Sequence, residues 1–538
     1  MRIASNICSL LIATTLSVAC ASEGPPPDLS ALVTRAEASG YIDTSSYQDV
    51  MDFVGALAAA HDQVHLTSFG TTQEGRSMPL LVVGADDPSP EAVRATGKTR
   101  IYLQGNIHAG EVPGKEALLM LLRDWIEGEY PDWTESSVLL VAPIYNADGN
   151  ERVTLTNRPR QNGPVGGMGQ RPNAQGFDLN RDHMKLASPE ARAVVGLMRD
   201  YDPHVSVDLH TTNGTRHAYH LTYSPPLHPD ADPGIIDLLR GDWLPSMTRT
   251  IKEKHGWDYY YYGNSGGRGR RGSANQPPRW ATFDHRPRFN NNYVGLRNRV
   301  AILSEAYAYA TFEDRVMATL YFVEEILNYA HEHGAQIKQV VAEADARSIV
   351  GTSLSMRSEL AQAAEPVTIL MGEVEEEIHP ETGEVMLRRL DVSNPVQMVE
   401  YGTFAATEQE TAPASYILPP ELSGIVDLLH IHGVQTETTT TETTLTVQEF
   451  MVESTEAAER PFQGRQERQV QGAYHEVERT FQAGTTVISV AQPLGLLAFH
   501  LLEPRADDGF LNWAMLDEFI QVGSPYPVLR TLAPVGLR

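Results

Sequence analysis

Residues 100–127 read RIYLQGNIHAGEVPGKEALLMLLRDWIE. Arg100 to Ile107 has the apolar, partly β-branched texture of a strand. From Lys115 to Glu127, Leu118, Leu119, Leu122, Trp125 and Ile126 fall on one helical face. Between the two lies the chemically loaded turn His108-Ala109-Gly110-Glu111. The alternation continues downstream. Ser136 to Tyr145, His204 to Leu209 and Arg299 to Ser304 read as strands. Ser188-Pro189-Glu190 opens a helix with a capping hydroxyl, a first-turn proline and an acid. Glu313 to His333 is a long helix that Gly334 is expected to end. Strands interleaved with helices imply an α/β domain whose mixed, mostly parallel central sheet is flanked by helices.

The texture changes after about residue 335. A helical connector is expected over 336–364. Beyond it, Val367 to Val374, Glu384 to Val392 and the Thr-dense run Thr436 to Phe450 read as short strands, giving a smaller β-rich accessory domain over 365–538. The catalytic part is expected to occupy 41–335.

The chain has 538 residues, 42 Lys plus Arg against 69 Asp plus Glu, and a formal net charge of −27. That balance argues against nucleic acid as a partner, because phosphate binding needs clustered positive charge. At 41% hydrophobic and 21% charged the composition is that of a globular protein.

The N-terminus reads as a secretory signal over residues 1–19: Arg2, an apolar stretch from Ile7 to Val18, then small residues. Ser17-Val18-Ala19-Cys20 is similar to a bacterial lipobox, with Ser17 where leucine is usual. Cys20 is therefore expected to carry lipid and to anchor the exported chain in the bacterial cell envelope, the only membrane contact expected. Residues 20–40, with Pro25-Pro26-Pro27, form a tether. The other cysteine, Cys8, leaves with the signal, so the mature chain has no intrachain disulfide.

Ligands of open α/β sheets gather beyond the carboxyl ends of the strands. His108 and Glu111 follow the first strand, His210 follows the third, and Glu305 follows the fourth. Two imidazoles and two carboxylates thus converge on one sheet edge. Catalytic zinc takes three protein ligands and keeps a position for water. His108 and Glu111 can reach one ion from a tight turn, and His210 can close the site from a neighbouring strand. Glu305 is then placed to take and return a proton. One zinc per chain is expected.

HAGE (108–111), GFDLNRD (176–182), SVDLH (206–210) and AILSEAY (301–307), in that order, resemble the zinc carboxypeptidase family typified by pancreatic carboxypeptidase A. The resemblance implies that His108, Glu111 and His210 are the zinc ligands and that Asp178 orients His108. It implies that Asn180 and Arg181 grip the C-terminal carboxylate of a peptide or peptide-like substrate, and that Glu305 is general base and then acid. The family's carbonyl-polarising arginine falls on Arg158 or Arg160, with Arg160 preferred. Its capping tyrosine has no clear counterpart; Tyr293 is the nearest. A guanidinium suits a carboxylate partner, consistent with exopeptidase action.

Two other readings compete. Gly263-Asn264-Ser265-Gly266-Gly267 fits the serine-hydrolase motif G-x-S-x-G, which requires a strand before Ser265 and a helix after it. A non-catalytic zinc-binding protein on the same fold is the other. The loop Gly263 to Pro278 carries Arg268, Arg270 and Arg271 and reads either as a solvated surface loop or as a basic rim favouring acidic substrates. His430 and His432 are expected to share one side of a strand.

Overall fold

The structure, a computed structural model, describes residues 29–212, 214–266 and 277–535. The signal segment, Cys20 and the tether up to residue 28 lie outside the described residues, as do Arg268, Arg270 and Arg271.

Nine strands organise the first part of the chain: β1 (Val64–Thr71), β2 (Ser77–Val83), β3 (Thr99–Gly105), β4 (Ser137–Ala142), β5 (Val205–Thr211), β6 (Leu221–Ser224), β7 (Tyr259–Tyr261), β8 (Arg279–Ala281) and β9 (Val300–Ala306). Eight of them, all but β8, form one sheet in the order β1-β2-β4-β3-β5-β9-β6-β7. Its centre, β4-β3-β5-β9, is parallel; β1, β2 and β6 join antiparallel. This is the mixed, mostly parallel sheet expected from the sequence.

β3, β4 and β5 bury every residue, because both sheet faces are covered. Ile101, Leu103, Leu139, Val141, Val205 and Val207 face one core, shared with helices Tyr47–Ala60, Pro113–Ile126 and Phe312–Ala346. Tyr102, Val138 and Leu140 face a second core, which holds Val194 and Met198 of helix Pro189–Tyr201. That core also takes in Leu418, Phe450, Phe499 and Trp513 from the C-terminal region. The β-rich region therefore supplies about half of this second core. It includes a six-stranded sheet containing the hairpin Thr443–Ala457 and Arg468–Phe481, and Val399–Tyr401 pairs in parallel with β8.

The helical path runs from Phe312 to Ala346 but is broken by a kink at His333, so the break expected at Gly334 is present and a second helical segment continues beyond it. A Cβ at Gly334 would stand 2.6 Å from Thr99 Oγ1, so glycine is there for close packing against β3. Two local expectations change. The connector is helical only to Ala346, and Ser353–Ala361 is a strand. His430 and His432 lie on helix Ser423–His432, where an offset of two residues separates their faces. Among the described residues, no helix is long and apolar enough to cross a membrane.

Candidate metal centre

β3 ends at Gly105, and Asn106 turns the chain with φ of 66°. The Glu111 amide then closes a turn onto the His108 carbonyl at 2.8 Å, which sets both side chains on one side. Gly110 is required for close approach: a Cβ there would lie 2.6 Å from the Gly169 carbonyl oxygen and 2.9 Å from Arg158 Nε. His210 and Glu305 come from adjacent parallel strands and are register partners.

The predicted set comes together. His108 Nδ1 is 3.0 Å from Glu111 Oε1, His210 Nδ1 is 2.8 Å from Glu111 Oε2, and the two Nδ1 atoms are 3.2 Å apart. All three side chains are buried. The far nitrogens are held by carboxylates: His108 Nε2 lies 3.0 Å from Asp178 Oδ1, and His210 Nε2 lies 2.8 Å from Asp208 Oδ2. These pairs assign the ring protons to Nε2. Both Nδ1 atoms and both Glu111 oxygens then present lone pairs to one another. A cation is what such a set accommodates, and two imidazoles with one carboxylate suit zinc.

The surrounding charge fits as well. Burial alone raises the Glu111 carboxyl, but His108 and Arg158 outweigh it and hold it well below the usual range. Burial disfavours charge on His210, yet Asp208 and Glu111 more than reverse this and make the position strongly cation-stabilising. The Asp178 carboxyl, opposed by burial, is held well below its ordinary value by His108, Arg181 and Arg171. Glu305 keeps some exposure to the cleft, and burial, followed by the Glu111 charge, pushes it up to about 8.

Asn180 is buried; its Nδ2 is 3.4 Å from His210 Nε2, and its Oδ1 accepts the Asn290 amide at 2.8 Å. Arg181 donates to the Asn180 carbonyl at 2.6 Å and lies over the Phe289 ring at 3.7 Å. The two loop arginines differ in place. Arg158 donates to Glu111 Oε1 at 2.6 Å, whereas Arg160 is exposed. Backbone pairing of the Arg160 carbonyl with the Leu387 amide at 3.1 Å holds that stretch along the C-terminal region.

Two groups escaped the sequence reading. Asp208 precedes His210 by two residues and so shares its strand face, a signal that was available. Arg171 donates to Asp178 Oδ2 at 3.0 and 2.8 Å and stands 3.7 Å from Glu111. It lies in a Gly- and Pro-rich loop whose path no periodicity reveals.

Tyr293 is buried, its hydroxyl 2.7 Å from His432 Nδ1, so it does not cap the cleft. Ser265 follows the edge strand β7, but Asn264 pairs back with Ala281, and the next helix described begins at Asn290. Among the described residues, the strand–turn–helix that a serine nucleophile requires is not formed.

A family model described as zinc carboxypeptidase matches residues 50–269. The match spans His108, Glu111, Asp178, Asn180, Arg181 and His210 and ends before Glu305. Carboxypeptidase 2 of Trichophyton tonsurans is 25% identical over 484 residues, covering 85% of this chain and 81% of the fungal protein. Carboxypeptidase 2 of Trichophyton equinum is 24% identical over 525 residues, covering 93% and 88%. Among solved structures, a metallo-carboxypeptidase from Burkholderia cenocepacia aligns at 18% identity with a TM-score of 0.39, covering 54% of this chain and 70% of its own.

Proposed function

We propose, from the premise that this chain carries a zinc carboxypeptidase domain and is a metallocarboxypeptidase, a specific division of labour among its residues. His108, Glu111 and His210 hold one zinc ion. The observation that carries this is the convergence of two Nδ1 atoms and both Glu111 oxygens, with each Nε2 fixed by an aspartate. A zinc ion bound there supplies Lewis acidity, which lowers the pKa of water from about 15.7 toward about 7.

The chain's own groups do the rest. Asn180 and Arg181 bind the terminal carboxylate of a peptide or peptide-like amide. Packing of the guanidinium on Phe289 supports this by fixing its plane. Arg158 donates toward the carbonyl oxygen of the scissile bond as charge develops there. Its contact with Glu111 puts it beside the ligands, which favours it over Arg160. Glu305 takes a proton from the attacking water and delivers it to the leaving amine. Its register pairing with His210 sets it beside the ligand group, and a cation there draws its raised pKa back down.

Residues 41–335 are the catalytic unit in this reading, and 365–538 brace it. Export by the segment before Cys20, with lipid on that residue, rests on the N-terminal sequence alone. The test is hydrolysis of a C-terminal peptide library with and without a chelator. Stepwise release of C-terminal residues, lost on chelation and restored by zinc, is expected. Chelator-resistant release, or cleavage only at internal bonds, overturns the reading.

A further inference from the structure

A second group of metal-ligating side chains lies apart from the cleft. His228, Asp230 and His500 each bring a ligand atom to within 4.8 Å of the others. His500 Nε2 is 3.0 Å from Asp230 Oδ2, and His228 Nδ1 is 3.9 Å from the same oxygen. The two imidazoles meet edge to face at 4.5 Å, and the ring of His285 stands 5.8 Å from His228. His228 and Asp230 lie on the loop after β6, whereas His500 is on helix Gly495–Leu502 of the C-terminal region. Asp230 Oδ2 also accepts the Ser355 amide at 2.9 Å, so three distant segments meet at one carboxylate.

A simple His500–Asp230 pair accounts for one of these distances. It leaves His228 buried alongside, its Nδ1 touched only by the Asp230 amide at 3.2 Å. His285 is buried too, and its ring nitrogens stand 3.8 Å from Asp284 and Asp507, beyond hydrogen-bond reach. Donor atoms around a tetrahedral zinc with ligand bonds of about 2.0–2.1 Å stand roughly 3.3 Å apart. The separations of 3.0 and 3.9 Å bracket that spacing.

We propose that His228, Asp230 and His500 form a second, structural zinc site that fastens helix Gly495–Leu502 to the loop after β6. Coordination through His228 Nδ1 replaces its contact with the Asp230 amide. The site touches none of the groups assigned to hydrolysis, so it does not depend on that assignment.

Zinc per chain, measured by elemental analysis on the full-length protein, tests the proposal. Two ions are expected in the wild type, one in His500→Ala with hydrolysis retained, and one in His108→Ala with hydrolysis lost. One ion in the wild type that survives His500→Ala and disappears in His108→Ala overturns the proposal and leaves the catalytic reading intact. One ion with the opposite pattern supports the second site and overturns the catalytic one. Should His500→Ala fail to fold, Asp230→Asn and zinc titration of chelator-stripped wild type replace it. A second equivalent that raises the melting temperature in wild type but not in Asp230→Asn is expected, and saturation at one equivalent in both refutes the site.

Discussion

Asp208 and His210 sit two residues apart on one strand, and the carboxylate holds the ring Nε2 at 2.8 Å. The same oxygen pair serves the sheet interior, because Asp208 Oδ1 accepts from Gln104 Nε2 at 3.0 Å. One buried aspartate thus ties a ligand's tautomer to the neighbouring strand. Asp208→Asn is expected to weaken zinc affinity about 10- to 100-fold, the usual cost of losing an outer partner. Competition against a calibrated chelator measures it, and unchanged affinity would remove Asp208 from the site.

Glu305→Gln keeps the shape of the side chain and removes its ability to carry a proton. Zinc content is expected to stay at the wild-type level while kcat falls by about 10²- to 10⁴-fold. Parallel loss of metal and activity would instead make Glu305 a ligand or a structural group.

Arg158 and Arg160 separate by position. Arg158 meets Glu111 at the ligand group, whereas Arg160 is exposed. Arg158→Ala is expected to lower kcat/KM by about 10²- to 10³-fold, and Arg160→Ala to leave it near wild type. The reverse ranking in steady-state kinetics returns the role to Arg160.

The C-terminal hairpin reaches the centre through one side chain: Gln463 Oε1 accepts the Asp178 amide at 2.7 Å, and Gln463 holds a φ of 50°. Asp178 Oδ1 in turn lies 3.0 Å from His108 Nε2. Gln463→Ala is expected to lower zinc affinity or kcat severalfold with little change in melting temperature. A change in melting temperature alone would mark the contact as purely structural.

Several buried histidines make the fold acid-sensitive. Burial pulls His204, His217, His220 and His432 down to about 3 and His183 to about 4. Below the ordinary value of 6.5 the unfolded chain takes up protons that these rings refuse. Stability is therefore full above that pH and falls as pH drops toward the folded values. Each such group adds a slope of about 1.4 kcal/mol per pH unit. His432→Gln is expected to cost stability at pH 7, where the Tyr293 contact is lost, and to flatten the decline between pH 6.5 and 4 by about one proton. Denaturant unfolding across that range reads the slope, and an unaltered slope would exclude His432.

The α/β layering, the sheet edge that carries His108, Glu111, His210 and Glu305, and the position of Asp178 beside His108 were all legible from strand texture and short motifs. Those signals are local: a strand end or a three-residue offset fixes where a side chain points. The break at His333–Gly334 was legible, but the close packing of Gly334 against Thr99 was not, because it depends on a contact between distant segments. The choice of Arg158 over Arg160, the arrival of Arg171, and the grip of Gln463 on Asp178 depend on how irregular loops cross.

The amino-acid sequence alone determined the layer architecture and which side chains gather at the sheet edge, because both follow from periodicity and the direction of parallel strands. Only the tertiary structure decided that the C-terminal region is half of the second core and reaches Asp178 through Gln463. It alone joined His500 to His228 and to Asp230, from which it stands 270 residues along the chain. Long-range packing of apolar faces brings such residues together, and no spacing within the chain encodes it.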